Sequence, residues 1–206
     1  MNSNRCKTLL AAVTVVLAPL CSASVPTPVV VQSVDCRQAT TSSIDELVCK
    51  DQELAALDRQ LAGVFAEAQQ KAIDEHPPRL PASQRRWLRE RNDCWKSTTR
   101  RECVDHRYRL RIAELQARYR LLPGNGPISY RCAGRPASKV VVTFFKTEPP
   151  TLIAQRGEKT SLMFVQASAS GVKYQSQNES FWEHQGEATI VWGRGSQALR
   201  CRPGPE

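Results

Sequence analysis

Apolar residues between about 34 and 122 recur at steps of three and four, which is the spacing of one face of an α-helix. The segment 43–46 forms a capping box and predicts a short helix that ends near Lys50. Asp51 can cap a second helix, which we expect to end at Pro77 because proline has no backbone N–H to donate. The apolar stripe of this second helix consists of Leu54, Leu57, Leu61, Val64, Phe65 and Ala68.

Two further helices are predicted before residue 123. The third begins near Ser83 and carries Trp87, Leu88, Cys94 and Trp95. The polar faces of both helices are rich in arginine, and acidic residues lie between the arginines. The apolar stripe of the fourth helix consists of Val104, Tyr108, Ile112, Leu115 and Tyr119.

The hydrophobic period changes after residues 123–127, which read Pro-Gly-Asn-Gly-Pro and predict a linker. Beyond the linker, β-branched and aromatic residues occur in short runs separated by turn residues, as in an antiparallel barrel or sandwich. We therefore expect a two-domain α+β protein, with a helical domain at 24–122 and a small antiparallel β-barrel of about eight strands at 128–206. The predicted strands are 130–132, 139–146, 152–155, 160–166, 172–175, 180–182, 187–192 and 197–201.

Residues 1–23 have the features of a signal peptide. Two basic residues precede an apolar run at 9–20, which is shorter than the ~20 residues that a membrane-spanning helix needs. Small residues then predict cleavage near Ala23. Acylation of Cys21 is the alternative, but a bulky leucine precedes that cysteine. We therefore expect soluble export to the periplasm, with membrane contact only if the chain is lipidated.

The cysteine count favours disulfides. Of the eight cysteines, Cys6 and Cys21 would leave with the signal peptide, and an even number in an exported chain indicates disulfide pairing. No CxxC motif occurs and the three histidines are far apart, so we expect no metal and no cofactor. Of the 15 pairings that six cysteines allow, spacing favours Cys36–Cys49, Cys94–Cys103 and Cys132–Cys201.

The basic charge does not indicate a nucleic-acid partner. The chain has 29 basic and 20 acidic residues, but the two signs alternate along the predicted helices, whereas a DNA-binding surface is usually a dense one-sided stripe. We therefore interpret the arginines as a solvated helical face, with contact to an anionic surface as the alternative.

The sequence does not predict an enzyme. It contains no GxSxG, HExxH, P-loop or GxGxxG motif, and we expect all mature cysteines to be paired. Glu179, Glu183 and Glu187 recur every four residues, but on a strand-rich segment we interpret them as exposed charges. A small, exported and disulfide-linked binding protein fits these features better.

The first half resembles the LprI family of exported proteins, which is named for a lysozyme inhibitor. The residues that carry the resemblance are Asp35-Cys36, the segment 44–49, the segment 51–61, the segment 84–94, and Cys103 with the helix that follows. The resemblance is specific for the fold, and it implies little about function.

The second half resembles the MliC/PliC family of inhibitors of c-type lysozyme. The residues that carry it are Tyr130-Arg131-Cys132, the segment 168–174, Phe181-Trp182, the segment 186–188, and Cys201. The family fold is a small antiparallel β-barrel. Its SGxxY motif, on a loop that enters the lysozyme cleft, is present here as Ser170, Gly171 and Tyr174.

A second family motif, a TKG-type turn that contributes a lysine, differs in this chain. Gln185 stands in place of the lysine, before Gly186. An amide can hydrogen-bond a carboxylate but carries no charge, and Lys173 is a candidate to compensate. The resemblance thus implies a lysozyme-binding site made of Ser168, Ser170, Gly171, Lys173, Tyr174, Gln185 and Gly186.

We therefore expect a non-enzymatic, exported inhibitor of c-type lysozyme, with a loop of the barrel that plugs the lysozyme cleft. The alternative is a non-inhibitory envelope protein whose basic helical domain contacts peptidoglycan, lipopolysaccharide or an acidic protein. A cell-wall hydrolase is the third hypothesis.

Overall fold

A computed structural model describes residues 33–41, 43–75, 78–133 and 139–204. The predicted signal peptide, with Cys6 and Cys21, lies outside the described residues. Within these ranges, no helix combines the length and hydrophobicity that a membrane span requires. The helices are α1 (Ile44–Lys50), α2 (Gln52–Lys71), α3 (Arg79–Asn92), a 3-10 helix (Asp93–Lys96) and α4 (Arg100–Arg118).

The first two helices begin at the caps that the sequence predicts. The Ser43 hydroxyl accepts the N–H of Glu46, and the Asp51 carboxylate accepts the N–H groups of Glu53 and Leu54. Each bond satisfies a donor that has no partner within its own helix. The same Asp51 also pairs with Arg101 at the start of α4, so one carboxylate fixes two helix ends.

Two helix boundaries differ from the predictions. α2 ends at Lys71 rather than at Pro77, which lies outside the described residues. α3 begins at Arg79 rather than near Ser83, and Pro81 lies in its first turn. Proline is tolerated there, because the first N–H groups of a helix have no acceptor within the helix.

The apolar stripes of α2, α3 and α4 meet in one core. Trp87 of α3 packs edge to face on Tyr108 of α4, and both side chains are buried. The Tyr108 hydroxyl accepts from buried Arg91 and donates to Asp58, so both of these buried polar side chains have partners. Trp95, which we placed on the third helix, lies instead in the 3-10 helix after α3 and is 58% exposed.

The second half is a closed antiparallel barrel in which each strand pairs with the next and β8 returns to β1. Closure removes the exposed edges at which an open sheet could pair with another chain. All eight predicted strands are present. They are β1 (Gly124–Cys132), β2 (Lys139–Phe145), β3 (Thr151–Arg156), β4 (Lys159–Gln166), β5 (Val172–Gln175), β6 (Glu179–His184), β7 (Glu187–Trp192) and β8 (Leu199–Pro203).

The segment that we predicted as a linker lies mostly within a strand. Gly124 pairs with Phe145 of β2, so β1 begins only six residues after α4 ends at Arg118. The Pro-Gly composition at 123–127 here accompanies an irregular strand start, with a register shift between Asn125 and Ile128, rather than a free connection.

The three disulfides that we predicted are present: Cys36–Cys49, Cys94–Cys103 and Cys132–Cys201. Cys132 and Cys201 lie directly opposite each other where β1 pairs with β8. This disulfide therefore links the first and last strands at the point where the barrel closes.

The helical part and the barrel are in contact along α4. Ala117 is fully buried against Phe145 of β2 and Leu162 of β4. Nearby, the Arg109 guanidinium lies 3.5 Å from the carboxylate of Glu148 in the β2–β3 connection. An apolar contact and an ion pair thus join the two halves.

Candidate functional site at one end of the barrel

Two connections of the barrel lie at the same end and beside each other. They are the β4–β5 loop, residues 167–171, and the two-residue β6–β7 turn at Gln185 and Gly186. Because β5 pairs antiparallel with β6, with Val172 opposite Glu183, the start of β5 adjoins the end of β6. The topology therefore brings together the two segments to which the family resemblance pointed.

The β4–β5 loop is exposed along its whole length, Ser168, Ser170 and Gly171 included. Its core-facing neighbour in the motif, Tyr174, is buried and makes an edge-to-face contact with Phe144 of β2. The loop therefore projects from the barrel while the strand that follows is anchored in the core.

Gly171 has a geometry that other residues would not adopt. Its φ is +66°, in the left-handed region. A Cβ atom at this position would overlap the backbone carbonyl oxygen of Glu183. Glycine is therefore required for two reasons, the backbone conformation and the close approach of β6.

Two hydrogen bonds hold the loop in shape. The Ser168 hydroxyl donates to the carbonyl oxygen of Ser170 at 2.7 Å, and the indole N–H of Trp182 donates to the same oxygen at 2.9 Å. Among the described residues, no partner is found for the Ser170 hydroxyl or for the backbone N–H groups of Ala169 and Ser170. The Ser170 carbonyl is thus bonded to the barrel, and these three donors of the exposed loop are left without a partner in the described part of the chain.

Lys173 lies on the outer face of the barrel, opposite Trp182 in the neighbouring strand. It is half-buried, and within the described ranges it forms no ion pair. Lys173 thus lies in β5, two residues after the end of the β4–β5 loop.

Gln185 and Gly186 form the tip of the β6–β7 hairpin, and both have positive φ, 52° and 79°. Such left-handed pairs match the twist of two-residue hairpins. Both residues are exposed, so the Gln185 amide is available at the same end as the β4–β5 loop.

A carboxylate lies inside the barrel mouth behind these segments. Glu183 is 3.4 Å from the hydroxyl of Tyr130. Burial and the charge of Glu183 raise the pKa of Tyr130 to about 12. The same two causes raise the pKa of Tyr174. Both phenols therefore stay protonated at neutral pH and act as neutral polar tips.

Trp182 belongs to this site, although sequence analysis did not include it. It stacks on His184 with ring centroids 5.8 Å apart and is 37% exposed. An exposed tryptophan on an alternating strand is a signal that could have been used, but its bond to Ser170 depends on strand register, which the sequence does not specify. The two rings border a groove of about 420 Å³, lined by Trp182, His184, Gln185, Glu187, Thr189 and Arg200.

In the part of the chain that the structure describes, no three His, Cys, Asp or Glu side chains cluster as metal ligands would. The arrangement offers hydrogen-bond donors without a described partner, on an exposed loop that is hydrogen-bonded to the barrel.

Two known families match the chain. Residues 36–115 match the family model described as lysozyme inhibitor LprI. Residues 130–198 match the MliC model, described as membrane-bound lysozyme-inhibitor of c-type lysozyme.

Individual proteins are also similar to the chain. Lipoprotein LprI of Mycobacterium tuberculosis and that of Mycobacterium bovis are each 29% identical over 182 residues, which cover 86% of this chain and 90% of theirs. Among solved structures, Pseudomonas aeruginosa MliC, crystallised in complex with hen egg white lysozyme, is 25% identical. That match covers 40% of this chain and 90% of the other, with a TM-score of 0.30.

The helical match ends at residue 115, within α4, and the second match begins at residue 130, within β1. The chain therefore matches the LprI model in its helical part and the MliC model in its barrel, in the order that the sequence predicted.

Proposed function

We propose that this protein inhibits c-type lysozyme and that the β4–β5 loop is the segment that enters the lysozyme cleft. The observation that carries the proposal is the exposed loop at 167–171, in which the Ser170 carbonyl is bonded to Ser168 and Trp182 while the Ser170 hydroxyl has no partner among the described residues. Both matching families are described as lysozyme inhibitors, which supports the same function.

The loop can act on the catalytic carboxyl groups of a lysozyme without any chemistry of its own. A lysozyme cleft contains one protonated carboxyl group and one ionised carboxylate. The Ser170 hydroxyl and the free N–H groups of the loop can donate to both, and hydrogen bonds to an ionised acceptor are the stronger ones. The protein therefore acts as a plug and not as an enzyme.

Rigidity makes such a plug effective. A loop that is already in its bound shape loses little conformational entropy on binding. Here the shape is set by the bonds to the Ser170 carbonyl, by the close contact of Gly171 with β6 and by the disulfide Cys132–Cys201. The donors of Lys173 and Gln185 lie next to the loop and would contact the rim of the cleft.

The direct experiment is a cell-wall lysis assay with the full mature chain and hen egg white lysozyme. We expect stoichiometric inhibition, and Ser170→Ala should weaken binding by about 1–3 kcal/mol, the cost of removing one hydrogen bond to a charged or desolvated group. Ser196→Ala is the matched control, because Ser196 is an exposed serine in the β7–β8 connection at the opposite end of the barrel.

Undiminished lysis at excess protein would contradict the function itself. Full inhibition by both serine variants would contradict only the role of the loop. Sedimentation of the protein with purified envelope fractions tests the alternative of an envelope-binding protein.

We also propose the domain division 24–122 and 128–206 and export to the periplasm with cleavage near Ala23. Mass spectrometry of the mature N-terminus should show an unmodified residue near position 24, and a diacylglyceryl group on Cys21 would contradict soluble export.

A further inference from the structure

A cavity of about 420 Å³ lies between the helical part and the barrel, away from the proposed lysozyme site. Its walls are the start of α3, the end of α4, and strands β3 and β4. Clefts between two packed units are a common location for ligand sites. Its charged lining consists of Arg79, Arg86, Arg111, Arg118 and Arg120 with Glu75 and Glu114.

Both carboxylates of the cavity are already occupied. Glu75 accepts the backbone N–H groups of Arg79 and Leu80 at the start of α3. Glu114 accepts from Arg111 at 2.8 Å and from Arg118 at 3.0 Å. Burial raises the pKa of Glu114, but the two guanidinium groups outweigh burial and hold the pKa below its ordinary value. Glu114 is thus shared by two arginines, whereas Glu75 binds backbone N–H groups and forms no ion pair with a described arginine.

Two guanidinium groups of the cavity have no carboxylate partner among the described residues. Among the described residues, Arg79 and Arg120 form no ion pair, and the Arg120 guanidinium lies over the ring of Phe145 at 6.0 Å. Five arginines against two glutamates give the cavity an excess of positive charge. The positive charge would attract an anion into the cavity, and the two unpaired guanidinium groups could donate hydrogen bonds to it.

Arg120 also has an unusual backbone. Its φ is 49°, at the position that follows the C-cap of α4, where glycine is the usual residue. The helix end is closed by a bond from the Leu121 N–H to the Gln116 carbonyl at 2.9 Å. Glycine would form this turn without strain, so the helix end does not require an arginine here. We infer that the Arg120 side chain has a role other than ending the helix.

We propose that this cavity binds a small oxyanion ligand, a phosphate- or carboxylate-bearing molecule, through Arg79 and Arg120. Guanidinium groups form bidentate hydrogen bonds with both kinds of group. Leu115, Ile153 and Leu162 line the same cavity, so they can hold an apolar or sugar portion attached to the anion.

The test is thermal unfolding and titration calorimetry of the full mature chain with inorganic pyrophosphate and, separately, with malonate, at constant ionic strength. A ligand that binds only the folded state raises the unfolding temperature. We expect an increase of about 3 °C or more at saturation, which is the size of effect that about 1 kcal/mol produces in a chain of this length.

Arg120→Gly is the informative variant because it relieves the positive φ while it removes the cation. Its unfolding temperature without ligand should equal or exceed that of the parent, and its affinity for the anion should fall about tenfold. Arg79→Gln should weaken binding in the same way. Arg89→Gln is the charge-matched control, since Arg89 is exposed on α3 and does not line the cavity.

An effect of pyrophosphate that depends on Arg120 supports a phosphate ligand, and one of malonate supports a carboxylate ligand. Equal effects on the parent, Arg120→Gly and Arg89→Gln would overturn the proposal, as would no effect of either anion. Inhibition of lysozyme does not enter this test, so its outcome is independent of the proposed function.

Discussion

At the scale of single residues, the site depends most on close contacts that involve a single backbone group. Gly171 is the clearest case, because its positive φ and its contact with Glu183 both exclude a side chain. The motif identified this glycine from the sequence. The physical reason for glycine at this position is the pairing of β5 with β6, which the sequence does not specify.

We predict that Gly171→Ala displaces the β4–β5 loop and weakens lysozyme inhibition by tenfold or more. Gly157→Ala is the control. Gly157 also has a positive φ, +59°, but no atom lies near the position of its Cβ, and it lies in the β3–β4 turn at the other end. Both variants should lose about 1 kcal/mol of stability from the backbone. Equal inhibition by the two variants in the lysis assay would count against the role of the loop.

Trp182 supports the loop through one donor. Trp182→Phe removes the indole N–H that binds the Ser170 carbonyl and keeps most of the apolar contact. We expect a loss of about 0.5–1.5 kcal/mol in binding, the net contribution of one neutral hydrogen bond. Trp95→Phe, in the helical part, should leave the inhibition constant unchanged. If both variants inhibit like the parent, Trp182 does not position the loop.

At the scale of elements, the sequence predicted the strands and caps well and the ends of the helices less well. Period-two runs and the caps Ser43 and Asp51 are local signals. At the start of α3 the carboxylate of Glu75 binds the N–H groups of Arg79 and Leu80, a nearby cap that the prediction near Ser83 did not use. The start of β1 depends on pairing with Phe145.

The disulfides should differ in how much they stabilise the chain. Cys132–Cys201 spans 69 residues and Cys94–Cys103 spans 9. Chain entropy then gives contributions of about 4 and about 2.5 kcal/mol. We expect replacement of both cysteines by alanine to lower the free energy of unfolding more for the first pair. Urea titration of the two double variants measures the difference, and the reverse order would contradict this account.

At the scale of the whole molecule, all four tyrosines, Tyr108, Tyr119, Tyr130 and Tyr174, share one property. Burial raises the pKa of each in the folded state. In the unfolded chain a tyrosine titrates near pH 10, as is usual for an exposed phenol.

We predict from this that stability falls at alkaline pH. Below about pH 10 the phenols are protonated in both states, and the stabilisation is complete. As the pH rises towards the folded pKa of Tyr130, about 12, the phenols of the unfolded state lose their protons first. The free energy of unfolding therefore decreases. Urea unfolding at pH 9 and pH 11 should show the decrease, and Tyr130→Phe should reduce it. A free energy of unfolding that rises over this range would contradict the raised pKa values.

The net charge of the barrel leads to a separate prediction, about the rate of association with lysozyme. Residues 123–206 carry 10 basic and 6 acidic side chains, and many c-type lysozymes are strongly basic. Long-range forces therefore oppose the encounter, and added salt should speed association by screening them. Stopped-flow measurements from low to high salt would test this, and a steep slowdown with salt would show attraction instead.

The closure of the barrel through β1 and β8 has a practical consequence. Pro203 ends β8 at the same end of the barrel as the β4–β5 loop, because β8 runs antiparallel to β1 and β7. An affinity tag joined to the chain beyond β8 would start at the end of the barrel that carries the proposed lysozyme-binding loop, and would compete with lysozyme for space there. Fluorophores and immobilisation handles for the assays above therefore belong in the β3–β4 or β7–β8 connection, on the far side of the barrel.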